Sequence, residues 1–97
     1  MEVTAIVTSV AKPGAEHNFE AAIRRVMDAT RDDPGFIRYD VYRDIGHAGT
    51  FVFHEIWESE EHLAAHLRTT HVAEFQETAA ALLERKEVRL LRHAFPA

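Results

Sequence analysis

The hydrophobic period of this chain changes repeatedly between the repeat of a strand and the repeat of a helix, and the order of these segments constrains its fold more than any motif does. Residues 2–10 are rich in β-branched side chains and precede a Lys-Pro-Gly sequence at residues 12–14, which predicts a strand that ends in a turn. From Ala15 the spacing is helical, with Phe19, Ile23 and Val26 on one face, until Pro34-Gly35 ends the helix. The chain therefore begins with a strand and a helix.

The middle of the chain predicts a hairpin and a divided helix. Residues 36–43 and 50–58 are rich in β-branched and aromatic side chains and are joined by a polar loop that contains glycine, which favours two antiparallel strands. Ser59 is a good N-cap for a short helix that ends near Leu67, and Thr69 or Thr70 can cap another helix with Leu83 on its apolar face. Residues 87–95 return to a strand pattern. The predicted order is β-α-β-β-α-β with the second helix broken in two.

This order predicts an α+β, ferredoxin-like fold: a four-stranded antiparallel sheet with helices on one face. A chain of 97 residues supports one core, so we expect a single domain over residues 1–97. In strand residues 51–57 and 88–95, apolar side chains occur at both odd and even positions and therefore on both faces of the sheet. A sheet that is solvated on one side instead alternates between apolar and polar residues. We therefore expect the helix-free face to pack on a second copy in a homodimer, as in dimeric α/β barrels.

Composition excludes several classes of function. The net charge is -5 with 11 basic and 16 acidic residues, which argues against nucleic acid as a partner because phosphate binding needs clustered Lys and Arg. The absence of cysteine excludes disulfides, thiolate nucleophiles, iron–sulfur clusters and cysteine-based zinc sites. No segment has the long apolar run of a membrane span, so we expect a cytoplasmic protein without a membrane partner.

Motifs along nearly the whole chain resemble the antibiotic biosynthesis monooxygenase family, whose members include the quinol monooxygenases. They are Lys12-Pro13-Gly14, Pro34-Gly35, Tyr39-Asp40-Val41-Tyr42-Arg43-Asp44, Glu55-Ile56-Trp57-Glu58-Ser59, Leu63-Ala64-Ala65-His66-Leu67, His71 and Phe75. The resemblance implies oxidation of a small phenolic or quinol-type aromatic substrate by O2 without metal, flavin or haem, so we expect no cofactor. In such chemistry the protein supplies a base, an oxyanion donor and aromatic walls.

The third strand carries the first group of candidate site residues. Phe51, Phe53, Glu55 and Trp57 lie on one face, which places a carboxylate among aromatic rings. A buried Glu55 must be paired, hydrogen-bonded or protonated, so its role is either structural or that of an orienting group or proton acceptor. Trp57 belongs to the core or holds a substrate oxygen through its N–H. Tyr39 carries the same ambiguity through its hydroxyl, and Phe51, Phe53 and Phe75 are candidate walls.

The histidines after this strand supply candidate bases. His66 lies on the Leu63 side of its helix and should point inward, either as a base or as a histidine satisfied by a carbonyl or carboxylate. His71 follows the Thr69-Thr70 cap, where the helix dipole favours the neutral imidazole of a proton acceptor. His62 and His66 have the i,i+4 spacing of metal ligands, but further ligands are not identifiable, so we expect no metal site and place His62 in solvent. His54 has the opposite parity to Glu55 and is assigned to the dimer face.

Other functions remain open. A non-catalytic ligand-binding or stress-response dimer would use the same fold, because chemistry is carried by sites and not by folds. Haem-degrading relatives use an asparagine on the first strand, whereas residues 5–8 are Ala-Ile-Val-Thr and the sole asparagine is Asn18. Relatives that isomerise a phosphorylated sugar signal carry Asn-His where this chain has Val26-Met27. Both enzyme alternatives therefore lack residues that their families use.

Overall fold

The computed structural model describes all 97 residues and has four strands and three helices. The elements are β1 (Val3–Ala11), α1 (Glu16–Thr30), β2 (Phe36–Arg43), β3 (Thr50–Trp57), α2 (Glu60–Leu67), α3 (Thr70–Leu82) and β4 (Leu83–Leu91). The strands form one antiparallel sheet in the order β2-β3-β1-β4. The predicted ferredoxin-like order, including the divided second helix, is confirmed. None of the helices is both long enough and apolar enough to cross a membrane.

The predicted start of the last strand is wrong. The sequence pattern places Leu83 on the helix and begins the strand at residue 87, whereas α3 ends at Leu82 and β4 begins directly at Leu83. Residues 84–86 are Glu-Arg-Lys, which favour a helix locally, but pairing with β1 holds them in the sheet. Phe95 lies beyond the strand and is exposed. Tertiary pairing therefore overrides local propensity at this junction.

The helices cover one face of the sheet and the core lies between them. Burial alternates strictly along β3, and Phe51, Phe53, Glu55 and Trp57 are the buried positions, so the predicted face is confirmed. On α1 the side chain of Phe19 packs edge-on against Phe51, with ring centroids 5.4 Å apart. The helix-covered face of β3 therefore carries both the aromatic core and the one carboxylate of that strand face.

Two hydroxyl caps position the divided helix over the end of β3. The side chain of Ser59 accepts a hydrogen bond from the backbone N–H of His62, and that of Thr69 accepts one from Val72. Both caps satisfy helix N–H groups that otherwise lack partners. The interruption between α2 and α3 lets His66, in the last turn of α2, and His71, in the first turn of α3, approach one another with ring centroids 6.1 Å apart.

Candidate functional site

The end of β3 forms the floor of the candidate site. Trp57 is completely buried and its indole Nε1–H donates a hydrogen bond of 3.1 Å to Oε1 of Glu55. Both side chains leave the same strand face because they are two residues apart. The Trp57 ring also lies against the imidazole of His66, with centroids 4.4 Å apart. The indole thus orients both a carboxylate and an imidazole.

Asp33 connects the two histidines of α2 and α3. Its Oδ2 lies 2.7 Å from Nδ1 of His66 and 2.8 Å from Nε2 of His71. An ionised carboxylate only accepts hydrogen bonds, so both imidazoles donate to it. A neutral His66 that carries its proton on Nδ1 has an unprotonated Nε2, and this atom lies 3.9 Å from Oε1 of Glu55. One imidazole therefore stands between two carboxylates with a free lone pair on the Glu55 side.

Asp33 is a functional candidate that sequence reasoning missed. The sequence pattern indicates only a turn that ends α1, and in that turn the Asp33 backbone N–H donates to the carbonyl of Thr30. The pairing of β2 with β3 indicates where Asp33 lies, because Phe36 at the start of β2 pairs with Trp57 at the end of β3. The turn before β2 must therefore lie beside the connection from β3 to α2, where His66 follows.

Burial controls the protonation of the site. Desolvation raises the pKa of the Glu55 carboxyl above its ordinary value, and the hydrogen bond from Trp57 opposes this rise. Desolvation lowers the pKa of His66, although the hydrogen bond and the charge of Asp33 raise it, and the neighbouring His71 lowers it further. Burial, together with the charge of Glu55, raises the pKa of the Tyr39 phenol. Near neutral pH, His66 is thus a neutral base and Tyr39 a protonated donor.

An apolar cavity of about 430 Å³ lies between the sheet and the helices, and both Glu55 and His66 line it. Its walls include Tyr39, Phe53 and Phe75, three of the residues predicted to bind substrate. The cavity opens along β4, where the lining residues Val88 and Leu90 are half exposed, and Arg85 and Lys86 add positive charge to its wall. The volume suits a ligand of one or two aromatic rings.

Three other predicted site residues lie outside this cavity. Phe51 packs beneath α1 and borders a separate groove with Ile23. Trp57 is behind Glu55 and has no exposed surface, and its N–H is donated to that carboxylate. His71 lines a different groove, between α1 and α3. The structure therefore brings Glu55, His66 and Tyr39 to the cavity and places Trp57 and His71 one layer behind them.

The assignment of His62 to solvent is wrong. Its side chain is only partly exposed, and its Nδ1 lies 2.7 Å from the Ser59 hydroxyl. The ring packs so closely on Gly35 that a Cβ at that glycine would overlap His62 Cγ. Close packing of α2 on the turn before β2 explains the difference from the sequence pattern. His54 lies on the opposite strand face from Glu55, as predicted.

Asp33, His66 and His71 bring together the kinds of side-chain atoms that can bind a metal ion. The ligand-type atoms of Asp33, His66 and His71 lie within 4.8 Å of one another, and two imidazoles with one carboxylate are a set that transition metals accept. Both imidazole nitrogens converge on the single oxygen Oδ2 of Asp33 at hydrogen-bond distances. The carboxylate oxygen thus occupies the point at which the two nitrogen lone pairs would meet, and a cation there requires Asp33 to move.

Fold and site together define a ferredoxin-like α+β protein with a buried carboxylate and imidazole on the wall of an apolar cavity. The model of the family described as "Antibiotic biosynthesis monooxygenase" matches residues 2–78, and the chain belongs to this family. The match contains β1, α1, the β2–β3 hairpin, α2 and most of α3. It therefore contains Asp33, Glu55, His66 and His71, and it ends before β4.

Comparisons with individual proteins agree with the family. The uncharacterized protein sll1783 of Synechocystis sp. is 30% identical over 84 residues, which are 86% of this chain and 57% of that protein. The solved structure of Rv0793 from Mycobacterium tuberculosis is similar with a TM-score of 0.93 at 24% identity, covering 100% of this chain and 99% of that one. SnoaB of Streptomyces nogalater, a cofactor-independent oxygenase, is similar with a TM-score of 0.88 at 21% identity, covering 98% and 95%. At these identities the two solved structures support the fold alone.

Proposed function

We propose that the protein is a cofactor-independent monooxygenase that oxidises a small phenolic or quinol-type aromatic substrate with O2. The observation that carries the proposal is the position of His66 Nε2, 3.9 Å from Glu55 Oε1 on the wall of an apolar cavity. A substrate hydroxyl bound there meets a base whose tautomer is set by Asp33. The anion that remains is electron-rich enough to reduce O2 without help from a cofactor.

The residues around the cavity have distinct proposed roles. His66 accepts the hydroxyl proton, Glu55 orients the substrate oxygen, and Tyr39 donates a hydrogen bond to oxygen through its protonated phenol. Phe53 and Phe75 form aromatic walls that keep the reacting oxygen species away from water. Trp57 is a positioning residue, because it contacts Glu55 and His66 but not the cavity.

Positive charge on β4 supports the anionic state of the substrate. Arg85 and Lys86 line the cavity, and Glu55 is the only acidic residue among its lining. Cationic groups near a developing phenolate reduce the free energy of deprotonation, and the effect is large in an apolar site. The cavity is therefore suited to an aromatic hydroxyl that loses its proton on the enzyme.

A homodimer is part of the proposal. The helix-free face of the two central strands carries the partly exposed apolar side chains of Ile6, Val10, Val52 and Ile56. Charged residues of the edge strands, such as Asp40 and Arg89, share that face. An apolar centre with a polar rim is the usual anatomy of a protein interface, and a second copy is the simplest partner that would cover it.

O2 uptake tests the activity. Protein treated with a chelator is assayed with a panel of hydroquinones and anthrones, and uptake that depends on enzyme concentration is expected. His66→Asn should reduce turnover by at least about 100-fold, because the amide keeps a donor for Asp33 but provides no base at the position of Nε2. His17→Asn, on an exposed face of α1, is the matched control and should retain activity.

The same panel of compounds, tested for both binding and O2 uptake, separates catalysis from simple binding. A panel member that quenches Trp57 fluorescence with saturable affinity but consumes no O2 would assign the cavity to a non-catalytic binding domain. Uptake that is equal in wild type and in His66→Asn would remove the proposed base.

A further inference from the structure

The cavity and the solvent groove between α1 and α3 do not share a histidine. His66 lines the cavity and is 3% exposed, whereas His71 lines the groove and its side chain is 25% exposed. The groove has a volume of about 690 Å³. Asp33 is the one side chain that hydrogen-bonds to both imidazoles. The three groups therefore form a polar path through an otherwise apolar wall.

A buried base needs such a path. The proton that His66 takes must reach water before the next turnover, and while a substrate fills the cavity that opens along β4, most of the side chains around His66 are aromatic or aliphatic and provide no acceptor for it. The neighbouring Glu55 does not provide an exit either, because it is itself buried and bonded to the indole of Trp57. The hydrogen bonds through Asp33 lead in the other direction, toward the exposed ring of His71.

We propose that Asp33, His66 and His71 form a proton relay that connects the cavity to the outer groove. This inference deepens the proposed function and rests on it only for the source of the proton. The proton bound at His66 Nε2 makes the ring an imidazolium. After exchange with water moves the proton of the partly exposed His71 ring from Nε2 to Nδ1, the Nδ1 proton of His66 passes to Oδ2 of Asp33, from Oδ2 to the now unprotonated Nε2 of His71, and the Nδ1 proton of His71 passes to water. One proton enters and one leaves; His71 ends with its proton on Nε2, as at rest, and a rotation of the His66 ring returns its unprotonated nitrogen to the cavity.

Charged groups around both rings fit this direction. His66 faces Asp33, His71, Glu55 and Tyr39. Besides Asp33 and His66, His71 shares its groove with Arg25 of α1 and with Glu74 and Glu77 of α3. The acidic residues of that groove attract a proton as it leaves the relay. Asp33 balances the imidazolium on His66 while the proton is in transit.

Nuclear magnetic resonance of the ligand-free protein tests the relay without any substrate. Long-range 1H–15N spectra of metal-free wild type should show His66 protonated at Nδ1 and unprotonated at Nε2 at neutral pH. Asp33→Asn should lower the pKa of His66 by about 1, because it removes the negative charge that favours the imidazolium while the amide oxygen can still accept a hydrogen bond. Asp32→Asn, the adjacent and exposed acid, removes the same charge and should leave this pKa nearly unchanged.

A second measurement distinguishes a relay from a structural cluster. The exchange of the His66 Nδ1 proton with water should slow by about tenfold or more in His71→Phe, which keeps a ring but removes both nitrogens. A cluster that only stabilises the fold would leave this rate unchanged once the variants are compared at equal stability.

The results that would overturn the relay do not depend on enzymatic activity. They are an Nε2-protonated His66 in wild type, equal effects of Asp33→Asn and Asp32→Asn, or an exchange rate independent of His71. A stoichiometric complex with Zn²⁺ that involves both imidazoles would also overturn it, because the cluster would then be assigned to metal binding. If the relay is confirmed while the substrate panel consumes no O2, only the proposed reaction fails.

Discussion

The indole N–H of Trp57 donates to the carboxylate of Glu55, two residues away on the same strand, at 3.1 Å. Both side chains are buried, so this hydrogen bond is shielded from bulk water. The carboxylate is desolvated, which raises its pKa, and the indole is the hydrogen-bond donor that opposes the rise. This pair therefore determines how much of Glu55 is ionised when a substrate arrives.

Replacement of the indole should expose this dependence. Trp57→Phe keeps a ring against His66 but removes the hydrogen-bond donor of the buried Glu55 carboxyl, so we expect a loss of about 1–3 kcal/mol in the free energy of unfolding at a pH where Glu55 is ionised. The cost should shrink at low pH, where Glu55 is protonated. Urea unfolding at several pH values measures it, and Glu55→Gln with Trp57→Phe completes a double-mutant cycle. A cost that is the same at all pH values and in both backgrounds would contradict the role of the pair.

The pKa shifts of Glu55 and His66 predict that the two groups change the free energy of unfolding in opposite directions as the pH rises. The folded-state pKa of Glu55 lies above its ordinary 4.5, so the folded state binds more protons and stability falls as pH rises from 4.5 through the folded-state value. The folded-state pKa of His66 lies below its ordinary 6.5, so the unfolded state binds more protons and stability falls as pH drops below 6.5.

Variants separate these two slopes. Glu55→Gln should gain stability relative to wild type as pH rises above 4.5, and His66→Asn should gain relative to wild type as pH falls below 6.5. Thermal or urea unfolding across the range from acid to neutral pH measures both differences. An exposed control, Glu58→Gln, should differ from wild type by a nearly constant amount. Parallel curves for Glu55→Gln and wild type would show that burial does not perturb this carboxyl.

The fold was predictable because its signals are local and agree with one another. Period-two and helical segments, the loop between β2 and β3, and the caps Ser59 and Thr69 each define one element. The junction of α3 and β4 was not predictable, since residues 84–86 prefer a helix and are held in the sheet only by pairing with β1.

The site was predictable only in part. Parity placed Glu55 on the helix-covered face, and helix spacing placed His66 inward. Asp33 is 33 residues from His66 and 38 from His71, and no local pattern marks an aspartate in a turn as the partner of two distant imidazoles. Such long-range hydrogen bonds follow from strand register and tertiary packing, which must be known first.

The two glycines with positive φ allow a matched test of how α2 is held over the site. Gly14 has φ +85, and no heavy atom lies within 4 Å of the position that a Cβ would take there, whereas Gly35 has φ +80 and lies against His62. Alanine at either position has the backbone cost of about 1–2 kcal/mol. Gly35→Ala should cost about 1–3 kcal/mol more than Gly14→Ala, because the methyl overlaps the imidazole.

Chemical denaturation of both variants measures this difference. The excess cost at Gly35 should disappear when His62→Ala is added, since the overlapping ring is then gone. Displacement of His62 also moves α2, so Gly35→Ala should alter the imidazole resonances of His66 while Gly14→Ala does not. Equal costs at the two glycines would show that His62 rotates away freely and does not fix the helix.

Charge on the helix-free face should dissociate the proposed homodimer. Ile56 lies on that face near the end of the central strand β3, and its replacement by lysine would bury a cation against the second copy, at a cost of several kcal/mol. Wild type should sediment at twice the 11.0 kDa mass of the chain, and Ile56→Lys should shift toward the single-chain mass. Ile45→Lys makes the same change at a fully exposed loop position and should leave the assembly intact. A wild-type protein that sediments as a single chain would contradict the dimer, and the apolar centre formed by Ile6, Val52 and Ile56 would then require a different partner.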